Sequence, residues 1–281
     1  NSEKLVEYIL NVARKWVSPP YSIDGWRLDV AADLGHTAEY NHEFWRRFRQ
    51  AVKEANPEAL ILAEHYGDPA SWLEGDQWDS IMNYDAFMEP VTWFLTGMEK
   101  HSDSYNGGIW GDGEAFFNAM GYHMSRMQTN TVMTAMNQLS NHDHSRFLTR
   151  TNQMVGRIQT AGPEKAGQNI KPCVFREAVV IQMTWPGAPT LYYGDEAGVC
   201  GWTDPDSRRT YPWGKEDLEL IEFHRYMTGI HRKIPAIRKG AVKPLLAGYQ
   251  KIAYGRMYGK YQAVVVISNS PDSQTMDITV W

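Results

Sequence analysis

The first stretch of the chain carries apolar residues at helical spacing. Leu5, Tyr8, Ile9, Val12 and Trp16 follow one another at short helical steps, mostly of three or four residues. Residues at this spacing share one face of a helix, and in globular proteins that face usually packs against the core. The pattern therefore predicts an N-terminal helix with these five side chains as its buried stripe.

Short apolar runs and longer helical patterns alternate along most of the remaining sequence. The nearly all-apolar run at 60–63 is typical of a strand buried on both faces of a parallel sheet. Asn41 is predicted to cap the helix before this strand, since Asn is a favoured N-cap residue. Strands separated by helices at this rhythm indicate βαβ units and a parallel sheet. The predicted strands are 23–30, 60–63, 80–82, 134–139 and 189–193, and the later predicted helices are 42–55, 112–127, 175–184 and 218–233.

The pattern changes near residue 241. From there the chain has β-like runs such as 262–267 without a helical segment between them, which indicates a small appended β domain. We therefore expect two domains, residues 1–238 and residues 239–281. Five strand–helix units precede the change, whereas a closed (β/α)8 barrel has eight strands. The pattern alone leaves two architectures open, an open doubly wound sheet and the back part of a barrel.

The composition indicates a globular protein with a slight excess of acidic residues. The 281 residues include 28 Lys and Arg against 33 Asp and Glu, so the formal net charge is −5. This balance argues against a protein that binds nucleic acid, which needs a basic face. No apolar run approaches the roughly 20 residues that span a bilayer. Cys173 and Cys200 are too few for a disulfide scaffold or a cysteine metal site. The 11 Trp and 15 Tyr can either fill a core or stack on sugar rings.

Arg27 and Asp29 lie two residues apart at the end of the first predicted strand. Side chains two apart point to the same face of a strand, so a guanidinium is expected beside the Asp29 carboxylate. The positive charge would hold Asp29 ionised, as a nucleophile requires. The alternative is a buried ion pair that only fixes packing.

Glu64 follows the apolar run at 60–63, so its carboxyl emerges from a dry strand. Active sites of parallel α/β folds lie at the carboxyl ends of the strands, where Asp29, Glu64 and Asp143 are all expected. An ionised carboxylate and a protonated carboxyl in one site are the requirements for glycoside hydrolysis. Alone, Glu64 could equally cap a helix at the end of the strand.

The Asn141-His142-Asp143 segment follows the end of the predicted strand 134–139. A histidine beside an aspartate also occurs in metal sites and hydrolase triads. The histidines of this sequence lack the usual zinc-ligand spacing, and no Gly-x-Ser-x-Gly motif supports a serine hydrolase. We therefore predict no metal site, and a loop histidine without chemistry remains the ordinary alternative for His142.

Four segments, taken together, resemble glycoside hydrolase family 13, the α-amylase family. Gly25-Trp26-Arg27-Leu28-Asp29-Val30 is similar to the family's fourth-strand segment, and Leu62-Ala63-Glu64 is similar to its fifth-strand segment. Ser140-Asn141-His142-Asp143 and the stretch 187–196 resemble the seventh-strand and eighth-strand segments. All four occur in the family's order, and the resemblance covers almost the whole chain.

The resemblance implies a role for each matching residue. Asp29 would be the nucleophile, Glu64 the general acid/base, and Asp143 the residue that holds sugar hydroxyls and stabilises the transition state. Arg27 would position Asp29, while His142 and Asn141 would belong to the substrate-binding set. The run 204–209 resembles a loop of neopullulanases, cyclomaltodextrinases and maltogenic amylases, in which Asp204 and Arg208 would bind a glucose farther from the cleaved bond.

The family's early segment, with an Asp and a His at its third strand, has no match in this sequence. The resemblance therefore implies the C-terminal part of a longer enzyme: an incomplete (β/α)8 TIM barrel, strands four to eight with their helices, and a truncated β domain. No cofactor is implied for this chain, and calcium would belong to the missing N-terminal part. With its sheet edges and apolar faces exposed, the isolated chain would either associate with itself or be marginal and largely inactive.

The function implied is a retaining α-glucan hydrolase that acts on α-1,4 links of starch-type chains or oligosaccharides, with α-1,6 links as a further possibility. A transglycosylase of the same family is one alternative, since the catalytic trio does not separate the two reactions. A non-catalytic partner subunit is another, although such proteins would be expected to lose the carboxylates. Linkage, glucan length and a cytoplasmic or secreted location stay open.

Overall fold

The computed structural model describes residues 2–280 and contains ten α-helices and eight strands within that range. The strands are β1 (Gly25–Leu28), β2 (Leu60–Ala63), β3 (Ser80–Ile81), β4 (Met136–Gln138), β5 (Ala188–Thr190), β6 (Ala241–Gly248), β7 (Lys251–Tyr258) and β8 (Tyr261–Ser268). The helices are α1 (Glu3–Val17), α2 (Ala38–Ala55), α3 (Glu89–Thr96), α4 (Gly113–Met124), α5 (Thr129–Thr134), α6 (Phe147–Arg150), α7 (Ile158–Ala161), α8 (Pro172–Thr184), α9 (Leu218–Lys233) and α10 (Pro235–Lys239).

The chain divides into two compact units. The first unit consists of Asn1–Met82 and His123–Met136, and the second of Asn83–Tyr122 and Asn137–Trp281. Within residues 2–280, no helix is long and apolar enough to cross a membrane.

A parallel sheet of order β1–β2–β3 forms the centre of the first unit. Gly25 is paired with Leu60 and Leu28 with Ala63, so β1 and β2 end side by side. The polar residues that follow these two strands are therefore brought to the same edge, as the sequence predicts for a parallel sheet. Inside the unit, Met82 forms a parallel bridge with Met136 just beyond β3.

The buried face of α1 is not the one predicted from the sequence. Val6, Leu10, Ala13 and Val17 form the buried stripe. Of the five predicted residues, Ile9 and Val12 are partly buried, whereas Leu5, Tyr8 and Trp16 are 57%, 66% and 40% exposed. The two apolar stripes lie about a third of a turn apart on the helix. Both have helical spacing, so periodicity could not choose between them. Arg47 of α2 forms ion pairs with Glu3 and Glu7 of α1, at the edge where the two helices meet.

Thr37, and not Asn41, is the N-cap of α2. The Thr37 hydroxyl oxygen accepts a hydrogen bond from the N–H of Tyr40 at 3.2 Å, and the helix begins at Ala38. The prediction for Asn41 was therefore wrong. Thr and Asn are both favoured N-cap residues, so the sequence offered two starts for this helix. Asn41 lies in the first turn of α2, and its buried side chain reaches back to the loop after β1.

The second unit contains β5, the part of its partner strand β4 from Asn137 on, and an antiparallel sheet of order β6–β7–β8. Helix α10 ends at Lys239 and β6 begins at Ala241, where the sequence pattern changes from helical to β-like. The hydroxyls of Tyr254 in β7 and Thr184 at the end of α8 lie 2.6 Å apart. The antiparallel sheet thus belongs to the same compact unit as α8. The domain boundary between residues 238 and 239 stays a prediction.

A π-helical turn, Tyr84–Met88, precedes α3 in the second unit. Such turns are rare and are often found at functional sites. The sequence analysis did not predict this turn, because its mixed polar and apolar residues fit neither the helical nor the strand period. It buries Tyr84, whose hydroxyl is a hydrogen-bond partner of Asn141.

Candidate active site

Arg27 links two carboxylates in the first unit. Its Nη1 contacts Oδ1 of Asp29, and its Nη2 lies 3.1 Å from Oε2 of Glu64. The guanidinium Nε also points at Sδ of Met82, at 3.4 Å. The predicted placement of Arg27 beside Asp29 is confirmed. Because one guanidinium contacts both carboxylates, Asp29 and Glu64 lie close to each other just after the ends of β1 and β2.

The backbone turns sharply directly after Asp29. Strand β1 ends at Leu28, and Val30 has φ 45° and ψ 45°, which is the left-handed region. The predicted strand through Val30 is therefore too long. This turn points the Val30 N–H at Oε2 of Glu64, with a donor–acceptor distance of 2.9 Å. A β-branched residue rarely adopts this conformation, so the surroundings must hold it there.

Asp29 and Glu64 occupy different environments. The Asp29 side chain is 74% exposed, whereas that of Glu64 is 8% exposed. The Arg27 guanidinium and the Val30 N–H both reach the same oxygen of Glu64, Oε2. The residues directly after Glu64 form no helix, so the alternative role as a helix cap is not realised.

A cavity of about 190 Å³ opens beside Glu64 in the first unit. Its lining combines the carboxyl groups of Glu64 and Asp33 with the partly exposed aromatic ring of Tyr66. Polar oxygens beside an aromatic face suit a sugar ring, which has hydroxyls at its edge and apolar C–H groups on its faces. The lining residues are Val30, Ala32, Asp33, Glu64, His65 and Tyr66.

Asn141 organises the turn that carries His142 and Asp143 in the second unit. Its Oδ1 accepts hydrogen bonds from the backbone N–H groups of Asp143 at 2.9 Å and His144 at 3.1 Å. Its Nδ2 donates to the Tyr84 hydroxyl at 3.2 Å. Asn141 is buried, and both ends of its amide are engaged inside the protein. Its predicted contact with substrate stays a prediction.

His142, Asp143, Asp204 and Arg208 form a polar cluster in the second unit. His142 Nε2 lies 3.5 Å from Oδ1 of Asp143, and Arg208 Nη2 lies 4.0 Å from the same oxygen. The Nε of Arg208 donates to Oδ1 of Asp204 at 2.5 Å. The structure thus brings these four predicted site residues together. All four side chains are partly exposed and accessible to a ligand.

Arg146 is a residue that the sequence analysis missed. It is fully buried; its Nη1 donates to Oδ1 of Asp195 at 2.9 Å, and its Nε donates to the Ser207 carbonyl at 2.9 Å. The Ser207 hydroxyl in turn donates to the His142 carbonyl at 2.7 Å. Arg146 therefore joins the 204–208 loop to the turn that carries His142. The available signal was an arginine three residues after Asp143, at the start of an otherwise buried stretch.

His144 follows the polar cluster but stays neutral. Its ring is buried, and burial together with the nearby charges of His101 and Arg150 lowers the pKa of His144 to about 2. A neutral imidazole cannot contribute a positive charge to the cluster at any ordinary pH. The permanent positive charge next to Asp143 is that of the Arg208 guanidinium.

One group in the described residues has the composition of a metal site. Ligand atoms of Glu99, His101 and Asp103 lie within 4.8 Å of one another. However, Arg157 forms an ion pair with Asp103, and Glu99 accepts from the backbone N–H and lies 2.7 Å from the ring Nδ1 of His101. These partners already satisfy the carboxylates. The absence of a metal or cofactor in this chain stays a prediction.

Residues 1–237 match the family model for the catalytic domain of α-amylase. Among curated proteins, the chain is 36% identical over 278 residues to neopullulanase 2 of Thermoactinomyces vulgaris, covering 98% of this chain and 41% of that protein. It is 34% identical over 272 residues to a cyclomaltodextrinase of Thermoanaerobacter pseudethanolicus, covering 96% and 41%. The chain thus spans about two-fifths of the length of these relatives.

Solved structures of similar fold agree with the sequence matches. A debranching enzyme of Nostoc punctiforme superimposes with a TM-score of 0.81 and 30% identity, covering 98% of this chain and 53% of that one. A cyclic α-maltosyl-(1→6)-maltose hydrolase of Arthrobacter globiformis, in complex with that sugar, has a TM-score of 0.78 and 28% identity, covering 95% and 52%.

Proposed function

Because the chain belongs to the α-amylase family, we propose that it carries the nucleophile and the acid/base of a retaining α-glucan hydrolase. The substrates would be starch-type polysaccharides or oligosaccharides, cleaved at α-1,4 bonds, with α-1,6 bonds as a second class. The names of the relatives, neopullulanase and cyclomaltodextrinase, support this substrate class. The activity is proposed for the natural protein that contains this sequence.

The contact of Arg27 with both Asp29 and Glu64 is the observation that carries the proposal. Retaining glycosidases use two carboxyl groups roughly 5–5.5 Å apart, one ionised and one protonated. A shared guanidinium keeps the two carboxyl groups close to each other. In this proposal the exposed Asp29 is the nucleophile, and the buried Glu64 is the general acid.

The mechanism is a double displacement. An oxygen of Asp29 attacks the anomeric carbon, and the bond from that carbon to the glycosidic oxygen breaks. Glu64 transfers its proton to the departing oxygen, which leaves a glycosyl ester on Asp29. Glu64, now a carboxylate, then removes a proton from water as the water attacks the same carbon. The ester bond breaks, Asp29 is regenerated, and the product keeps its anomeric configuration.

The polar cluster of the second unit supports substrate binding in this proposal. Carboxylate, imidazole and guanidinium groups are hydrogen-bonding partners for sugar hydroxyls. By the resemblance, Asp143 holds sugar hydroxyls and stabilises the transition state, and His142 binds the sugar next to the cleaved bond. Asp204 and Arg208 bind a glucose farther away. Their mutual contacts within the second unit are the structural support for these roles.

We also propose that β1–β5 with their helices are strands four to eight of a (β/α)8 barrel and that β6–β8 begin the C-terminal β domain. The parallel order β1–β2–β3 and the partial coverage of the similar structures support this arrangement. On this proposal, β1 pairs with a further barrel strand from the same protein. In the 281-residue chain by itself, the apolar residues left exposed would favour association between copies.

Trapping of the glycosyl ester tests the proposed function. The natural protein, incubated with a fluorinated α-glucosyl or α-maltosyl fluoride that slows deglycosylation, should gain the mass of one glycosyl group on the peptide that contains Asp29. Proton NMR of maltotriose hydrolysis should show the α-anomer as first product. Modification of a different residue, or release of the β-anomer, would disprove the mechanism. Longer oligosaccharides at high acceptor concentration would identify the transglycosylase alternative.

A further inference from the structure

The loop 30–35 is held by helix α2, through Asn41. The Asn41 side chain is 2% exposed, and its Nδ2 lies 2.9 Å from the carbonyl oxygen of Ala31, 3.0 Å from that of Ala32 and 2.9 Å from that of Leu34. The two N–H bonds of one amide group thus lie within hydrogen-bonding distance of three backbone carbonyls in a four-residue stretch. A buried amide with three backbone acceptors fixes that stretch more tightly than packing alone would.

Other side chains keep the Asn41 amide and the loop in place. The Nε1 of Trp72 donates to Oδ1 of Asn41 at 2.8 Å, which fixes the orientation of the amide. Trp72 is itself stacked on Trp78, with ring centroids 4.9 Å apart and an interplanar angle of 3°. One turn along α2, Nε1 of Trp45 also donates to the Ala31 carbonyl at 2.8 Å. Two neighbouring positions of one helix face therefore hold the same carbonyl.

The held stretch directly follows Val30, whose left-handed backbone is unfavourable for a β-branched residue. A residue persists in such a conformation when its surroundings impose it. This conformation points the Val30 N–H at Oε2 of Glu64. If the carbonyls of Ala31 and Ala32 were released, Val30 could relax to an ordinary conformation, and its N–H would turn away from Glu64.

We propose that Asn41 is a positioning residue for acid catalysis, which it supports by fixing the loop after Val30 and thereby the carboxyl of Glu64. This inference rests on the proposed function. It differs from a general structural role because Asp29 has its own contact with Arg27, a residue of β1, and none of the three Asn41 contacts reaches Asp29. Loss of Asn41 should therefore harm proton donation by Glu64 more than attack by Asp29.

Two substrates separate these steps. Maltotriose needs a proton on its leaving oxygen, whereas the fluoride of α-maltosyl fluoride departs with little help from an acid. In the natural protein, Asn41→Ala should lower kcat on maltotriose about 100-fold and kcat on α-maltosyl fluoride less than about fivefold. KM should change little for either substrate, because binding does not need the proton.

Gln77→Ala is the matched control. Gln77 is a fully buried amide in the same unit that donates to the Ser71 carbonyl at 3.1 Å and pairs with His42, without a described contact to loop 30–35. Its loss should change both rates by the same small factor. Trp45→Phe, which removes one donor to Ala31 and keeps the ring, should show the Asn41 pattern more weakly. It carries the test if Asn41→Ala does not fold.

Equal losses on the two substrates, or wild-type rates in a folded variant, would overturn the role of Asn41 while the proposed function stands. A wild-type protein that hydrolyses neither substrate would instead disprove the proposed function and this inference with it.

Discussion

The backbone N–H of Val30 donates to the carboxyl of Glu64 at 2.9 Å, although the two residues lie 34 positions apart in sequence. The residue after the candidate nucleophile therefore contacts the candidate acid. This hydrogen bond and the contact of Arg27 with Glu64 link the ends of β1 and β2. Four testable consequences for activity, stability and assembly follow from the geometry of the two compact units.

Glu64→Gln should abolish most of the activity without loss of substrate binding. The amide oxygen can still accept from Arg27 and the Val30 N–H, but the side chain has no proton to transfer to a leaving oxygen. We expect kcat on maltotriose to fall about 1,000-fold while KM changes less than about threefold. Glu58→Gln, an exposed glutamate just before β2, is the control and should keep wild-type rates. Retained turnover in Glu64→Gln would remove Glu64 from the mechanism.

Arg27→Lys should lower turnover even though the positive charge is kept. A guanidinium offers separate nitrogens to Asp29 and Glu64, whereas an ammonium is a single point that cannot match both contacts. We expect a fall in kcat of about 100-fold, with circular dichroism like that of the wild type. Arg49→Lys, which alters an ion pair with Asp79 in the same unit, is the matched control. Equal kinetics for the two variants would show that the double contact of Arg27 is not needed.

Glu177 should make the protein less stable as the pH rises. Burial raises the pKa of this carboxyl in α8 from 4.5 to about 8. Between these pH values the folded protein keeps the proton and the unfolded chain releases it, so stability decreases as pH increases through this window. Glu177→Gln should therefore raise the free energy of unfolding at pH 8.5 by about 2–4 kcal/mol and leave it unchanged at pH 4.

Urea unfolding of Glu177→Gln at the two pH values measures this difference. The exposed Glu222, paired with Arg225 on the surface of α9, provides the control variant Glu222→Gln. A gain of stability in Glu177→Gln that is the same at both pH values would argue against ionisation of Glu177 as the cause.

The exposed stripe of α1 should make the 281-residue chain self-associate. Leu5, Tyr8 and Trp16 present large apolar groups to solvent, and contiguous apolar surface favours contact between copies. The double variant Leu5→Lys with Tyr8→Lys should shift sedimentation velocity profiles from concentration-dependent species to a monomer. Asn11→Lys, on another face of α1, should not. A wild-type chain that is monomeric at all concentrations would show that this stripe does not drive association.

The sequence predicted the bounds of an element well where the segment contains a single apolar pattern. The run 60–63 and the helix at 218–233 have the predicted bounds in the structure, because each contains a single apolar pattern with clear ends. Helix α1 contains two apolar stripes, and only the partner helix decides which one is buried. The wrong stripe was therefore predicted from a correctly identified helix.

The candidate site was predictable as residue types but not as a network. Arg27 beside Asp29 follows from strand alternation, which depends on two residues only. The hydrogen bond from Val30 to Glu64 depends on a left-handed turn and on Asn41, which lies on a different element. A period-based analysis could identify Asn41 as a polar residue near a helix start. It could not show that the side chain folds back over 10 residues to the Ala31 carbonyl.

The position of Arg27 between two carboxylates has a consequence for the charge balance of the reaction. In the proposed mechanism, ionised Asp29 neutralises the guanidinium before the reaction, while Glu64 carries the proton that it transfers. Once Asp29 is esterified and Glu64 has given up its proton, the same guanidinium is neutralised by Glu64. The counter-ion of Arg27 thus switches between the carboxylates of Asp29 and Glu64 in each half of the reaction. The net charge of these three side chains stays at zero throughout. No solvent ion has to enter the site to compensate the chemistry.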